Sequence, residues 1–89
     1  MVATNLKVSG VPVFSAGDFE GEGAETIIYR DGALPAYRKL VLRDNRLVGA
    51  VLYGDTADSH WYLELIRSGR AVLDIRAALP FGQAYAEAA

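Results

Sequence analysis

The chain has 89 residues, enough for one hydrophobic core and too few for a second core or for enclosing a large cofactor unaided. It is 52% hydrophobic and 22% charged with a mean hydropathy of +0.14, apolar for a domain with so much surface, so part of that apolar area should be covered by a neighbour. Nine Lys plus Arg against eleven Asp plus Glu give a net charge of -2 with no basic run, which disfavours nucleic acid as a partner, and the lack of cysteine excludes disulfides, cysteine-ligated zinc, iron-sulfur ligation and thiol catalysis within this chain.

In chain order, Leu6 to Ser15 mixes Val8, Val11, Val13 and Phe14 with Gly10 and Pro12 and reads as one weak strand at a sheet edge. Ala16 to Glu25 holds three glycines and four acids and reads as a solvated loop. Thr26 to Arg30 is β-branched and aromatic, a strand that stops at Asp31-Gly32; the short connection through Ala33, Leu34 and Pro35 predicts antiparallel pairing with the next strand.

Tyr37 to Arg43 and Arg46 to Tyr53 flank Asp44-Asn45, two residues that tolerate the positive φ angles of a type I′ turn. Counting outward from that turn pairs Leu42 with Leu47, Leu40 with Gly49 and Arg38 with Val51. Leu40, Leu42, Leu47, Val51 and Tyr53 then share the core face, with Lys39, Val41, Arg43, Arg46 and Val48 opposite. Gly49 falls within the apolar face, where it lets a packed helix come close.

Gly54 breaks the strand, and Asp55, Thr56, Asp58 and Ser59 are candidate caps for a helix to about Ser68. Trp61, Tyr62, Leu65 and Ile66 make one broad apolar stripe, and Gly69 is placed to end the helix. A second helix is expected over Leu73 to Leu79, stopped by Pro80, with Phe81 to Ala89 as a fraying tail. Strands before helices predict an α+β fold: a small antiparallel sheet of three to four strands with two C-terminal helices on one face.

The apparent catalytic and binding motifs are weak. Gly21-Glu22-Gly23 lacks a preceding strand and a third glycine, and its surrounding acids would repel a phosphate. Val13 to Phe19 is similar to the strand-then-Gly-Asp segment of flavin reductases, but a strand ending at Ala16 with Asp18 capping a turn is the favoured reading. Asp55 and Asp58 read as caps at a helix start rather than as a carboxylate pair, and His60 has no nucleophile beside it. No catalytic, cofactor-binding or metal residue is therefore assigned. Gly49, Tyr53, Trp61, Tyr62, Leu65 and Ile66 remain as core or interface candidates. No apolar run approaches the ~20 residues of a membrane span, and Met1 to Lys7 lacks a signal-peptide core, so a cytoplasmic location is expected.

Leu6 to Val11, Val13 to Phe19, the long segment Tyr37 to Arg70 and Phe81-Gly82 together resemble the small domain that follows the FAD and NAD domains in the large subunit of assimilatory NAD(P)H nitrite reductases. A more distant resemblance is to the C-terminal domain of NADH:rubredoxin reductases, within the pyridine nucleotide-disulfide oxidoreductases. The resemblance implies a non-catalytic interface domain that packs on the FAD and NAD domains of a longer protein and can join subunits as a homodimer. It also implies that Met1 starts a piece excised from that protein. FAD, NAD(P)H, an iron-sulfur cluster and sirohaem are implied for the parent, and no cofactor for this chain. The rival reading is a small domain that holds a flavin near Gly49 and Trp61; a subunit serving only dimerisation is a third.

Overall fold

The computed structural model describes residues 3–18, 23–31 and 36–88. Its strands are β1 (Ala3–Val8), β2 (Val11–Gly17), β3 (Glu25–Asp31), β4 (Ala36–Arg43) and β5 (Arg46–Tyr53), followed by helices α1 (Ser59–Ser68) and α2 (Gln83–Ala88). All neighbours are antiparallel, in the order β1-β2-β5-β4-β3. The α+β class matches expectation, but the sheet has five strands rather than three to four. The extra strand comes from the first segment, which is a hairpin and not one strand: Ser9 and Gly10 turn with φ of 52° and 82°, and Val8 pairs with Val11. Gly10 and Pro12, which weakened the segment as a single strand, mark this turn and the start of β2.

The Asp44-Asn45 turn forms as expected, with φ of 54° and 61°, and Leu42 pairs with Leu47. One residue further the register shifts, so that Val41 faces Gly49 and Leu40 faces Ala50. This bulge places two residues, Val48 and Gly49, against one and reverses the alternation beyond it. The core face of β5 is therefore Leu47, Ala50 and Leu52, all at most 1% exposed, while Val51 and Tyr53 turn to the opposite face, contrary to the periodicity. Ala50, not Gly49, is the small residue in the core.

Helix α1 packs on β5 and β2, with Tyr62 and Leu65 joining Phe14, Leu40, Leu42, Leu47 and Leu52 in the core. It ends at Gly69, whose N–H donates to the Leu65 carbonyl. Beyond it, the helix expected over Leu73 to Leu79 is replaced by single 3₁₀ turns at Leu73–Ile75 and Leu79–Phe81. The expected fraying tail is α2, which buries Ala86. Two anchors explain the difference: the Val72 N–H donates to the Asn45 carbonyl at 2.7 Å, and Val72 and Leu79 both enter the core, so the chain turns sharply between them. β3 runs through Asp31, and the rest of the expected turn and connection, residues 32–35, lies outside the described residues, as do Gly21 and Glu22 of the Gly21-Glu22-Gly23 segment.

Candidate functional site

The antiparallel register aligns residues in rows across the sheet. On the helix-covered face, Phe14, Leu52, Arg38 and Tyr29 form one row. Arg38 is thus a cation at a core-facing position, its side chain only 12% exposed. Burying a guanidinium is costly unless acceptors surround it. Here Nη1 donates to the Tyr62 hydroxyl at 3.1 Å and the Pro80 carbonyl at 3.2 Å, and Nη2 donates to Asp58 Oδ2 at 3.2 Å, with Asp55 at 3.7 Å. Tyr62 completes the set by donating its hydroxyl proton to the Leu79 carbonyl at 2.6 Å. Burial pushes the Tyr62 phenol up to about 12 against the opposing pull of Arg38, so it stays a donor at neutral pH.

This use of Asp58 displaces the capping role expected for it: it is the N-cap residue of α1, yet its side chain makes no cap hydrogen bond and turns to Arg38. Asp55 does hold a turn, accepting the Ala57 N–H at 3.0 Å. Gly82, at φ 99° and ψ 178°, comes so close that a Cβ there would strike the Asp58 carboxylate.

Among the described residues no helix covers the opposite face of the sheet. One row crosses all five strands: Leu6, Val13, Tyr53, Tyr37 and Arg30, in spatial order. The Tyr53 and Tyr37 rings lie 6.1 Å apart, and the Arg30 guanidinium sits 5.5 Å from the Tyr37 ring centre. The next row brings Ser15, Val51, Lys39 and Ile28 beside it. Leu6, Val8 and Ile28 are 46%, 50% and 52% exposed. Apolar residues exposed at both edges of the face, with half-buried Val13, Val51, Tyr53 and Tyr37 between them, are what a docking face presents.

The six candidate residues separate between these two layers. Tyr62 and Leu65 are buried under α1, and Trp61 and Ile66 pack partly buried against them. Tyr53 and Gly49 belong to the uncovered face by register. Trp61 and Gly49 are therefore not brought together: Trp61 packs against the core from α1, and Gly49 lies on the other face of the sheet. The Gly-Asp segment resolves into a backbone contact: Gly17 has φ 71° and faces the bulge, the Asp18 N–H donates to the Val48 carbonyl at 2.9 Å, and the Asp18 carboxylate pairs with Arg43 at 3.4 Å. His60 is exposed on α1. Among the described residues no cluster of three or more His, Asp or Glu side chains could hold a metal ion, and no helix is long and apolar enough to cross a membrane.

Arg38 and the aromatic residues Tyr29, Phe81 and Tyr85 were absent from the sequence-derived candidates. Arg38 had a usable signal, since it alternates with Leu40 and Leu42 and so lies on the core face. The others depend on contacts between distant elements, such as the 5.1 Å edge-on pair of Tyr29 and Phe81.

Residues 3–70 match the model of the family described as the rubredoxin NAD+ reductase C-terminal domain. Among curated proteins, the chain is 47% identical over 68 residues to the NAD(P)H nitrite reductase of Bacillus subtilis (strain 168), covering 75% of this chain and 8% of that one. It is 39% identical over 69 residues to the NADH nitrite reductase large subunit of Escherichia coli (strain K12), covering 73% and 8%. The assimilatory nitrate reductase electron transfer subunit of Bacillus subtilis (strain 168) is 34% identical over 68 residues, covering 75% and 9%. The chain thus spans less than a tenth of the length of these relatives.

Proposed function

The chain belongs to the rubredoxin NAD+ reductase C-terminal domain family, and on that premise we propose that it is a structural docking module of an FAD-dependent NAD(P)H nitrite reductase. Its part is to hold neighbouring domains together while NAD(P)H oxidation and nitrite reduction to ammonia take place elsewhere in the parent protein. The observation that carries this reading is the apolar row Leu6, Val13, Tyr53 and Tyr37, which crosses the sheet on the face that no helix covers among the described residues. The FAD and NAD domains of the parent are the occupants proposed for that face.

The chemistry proposed for the parent needs FAD, NAD(P)H, an iron-sulfur cluster and sirohaem. The residues of this chain do not fit the cluster, because it has no cysteine to ligate one. Its described residues likewise bring no metal-ligating cluster together. We therefore assign this chain packing and orientation, and no step of electron transfer.

The test is made in the full-length reductase. Val13→Asp and Tyr53→Glu, each placing a charge in the row, should speed proteolytic release of the domain and lower NAD(P)H-dependent nitrite reduction. The isolated chain supplied with nitrite, NADH and FAD should turn nothing over. Wild-type proteolysis and activity in both variants, or nitrite reduction by the chain alone, would overturn the proposal. Sedimentation of the chain over a range of concentrations reports whether a second copy covers the face instead; a concentration-dependent dimer abolished by Tyr53→Glu would replace the docking reading with a homodimer.

A further inference from the structure

A second surface lies on the helical side of the sheet, at the β3 edge, and does not depend on the reading above. A cavity of about 190 Å³ opens there between Tyr29 of β3, Tyr37 and Arg38 of β4, Asp55 of the loop before α1, Phe81 of the last 3₁₀ turn and Tyr85 of α2. It is smaller than the roughly 300–1,000 Å³ of pockets for drug-sized ligands and comparable to the end of one long side chain. Its walls are aromatic: Tyr29 and Phe81 meet edge-on at 5.1 Å, and Phe81 and Tyr85 lie 6.0 Å apart. Phe81 and Tyr85 remain 45% and 67% exposed, although both belong to ordered helical turns.

The charge at the base sets the sign of what fits. Arg38 faces two carboxylates, Asp58 at 3.2 Å and Asp55 at 3.7 Å, so the group of three carries one net negative charge. Asp58 is the closer partner and is 24% exposed; Asp55 is 58% exposed and is the carboxylate that lines the cavity. Arg38 offers little to an anion, because its terminal nitrogens already donate to Tyr62, Pro80 and Asp58. Aromatic walls and a net negative charge together attract a cation.

We propose that this cavity is a receptor for a basic side chain, an arginine or lysine presented by a partner protein, with the rings of Tyr29, Phe81 and Tyr85 as the cage and Asp55 as the counter-charge. The charge complementarity selects this occupant. A basic side chain adds a partner on the exposed side of Asp55, a neutral one adds none, and an acidic one is repelled by the net negative charge of the group.

The test titrates the chain with N-acetyl-arginine amide, following amide shifts by NMR, beside its neutral isostere N-acetyl-citrulline amide. The expected result is saturable shifts confined to the amides around Tyr29, Tyr37, Asp55, Phe81 and Tyr85, with citrulline at least about five-fold weaker. Asp55→Asn keeps an oxygen for the Ala57 N–H, and Tyr85→Ala removes an exposed ring, so both variants should fold; each should weaken arginine binding about three-fold or more. Non-saturating shifts, equal binding of citrulline, or unchanged affinity in folded Asp55→Asn would overturn the proposal.

Discussion

A guanidinium in the core of so small a domain is tolerable only because three chain segments converge on it. Arg38 reaches the turn before α1 through Asp58, the body of α1 through Tyr62, and the last 3₁₀ turn through the Pro80 carbonyl. Tyr62 binds the same turn again through Leu79. Replacing Tyr62 with Phe keeps the ring and its packing but leaves the buried Leu79 carbonyl without that donor, at a cost of about 1–3 kcal/mol. The same substitution has a pH signature whose sign follows from the raised phenol. A group held neutral by the fold contributes its full stability below its unfolded value of 10.0 and loses it as pH rises toward about 12. Urea titrations at pH 9 and pH 11 should therefore show wild type losing more stability than Tyr62→Phe, by about 1 kcal/mol. Equal losses in the two proteins would mean that the phenol is not protected by burial.

At the scale of elements, the bulge in β5 decides which residues face the core. It is built by two backbones in close approach: Asp18 donates to the Val48 carbonyl, and a Cβ on Gly17 would collide with that same oxygen. Gly17→Ala must also adopt φ 71°, so it should lower stability by about 2 kcal/mol or more, seen as a drop in Tm of roughly 8 °C or greater. A change within about 0.5 kcal/mol, the range of neutral surface substitutions, would show that the bulge tolerates a side chain. The bulge also marks where sequence stopped being informative. The Asp44-Asn45 turn, the antiparallel partner of β3, the stripe of α1 and its end at Gly69 follow from local propensity and periodicity, and all were legible. Nothing local distinguishes Val48-Gly49 as two residues opposite one, so strict alternation carried Val51 and Tyr53 into the core. Those two residues lie on the uncovered face that now carries the proposed function. The aromatic cavity was less legible still, because its walls come from β3, β4 and α2, segments joined only by tertiary packing.

Taken as a whole, the molecule is fully collapsed, yet among its described residues no helix covers one face of the sheet. Its radius of gyration is 12.2 Å, close to the roughly 12 Å of a compact chain of this length, so the open face is not a sign of loose packing. The apolar excess in the composition is accounted for in part by that face, where Leu6, Val8 and Ile28 are about half exposed.

The extent of the folding unit is a separate question from the extent of the family match. The match ends at Arg70, but Val72, Leu79 and Ala86 are all buried, and Leu79 and Pro80 supply acceptors to Tyr62 and Arg38. Arg76 also pairs with Glu25 on β3, and Val72 is hydrogen-bonded to the hairpin turn at Asn45. Burying Val72 and Leu79 alone contributes about 3–6 kcal/mol, a large share of the roughly 4–13 kcal/mol available to a domain of this size. A chain ending at Arg70 should accordingly lose its cooperative thermal transition and expose the underside of α1. Far-UV circular dichroism would retain strand signal while dye binding to apolar surface rises. A cooperative melt within a few degrees of the 89-residue chain would show instead that the five strands and α1 suffice. The segment after Arg70 would then serve chiefly to bring Phe81 and Tyr85 to the aromatic cavity.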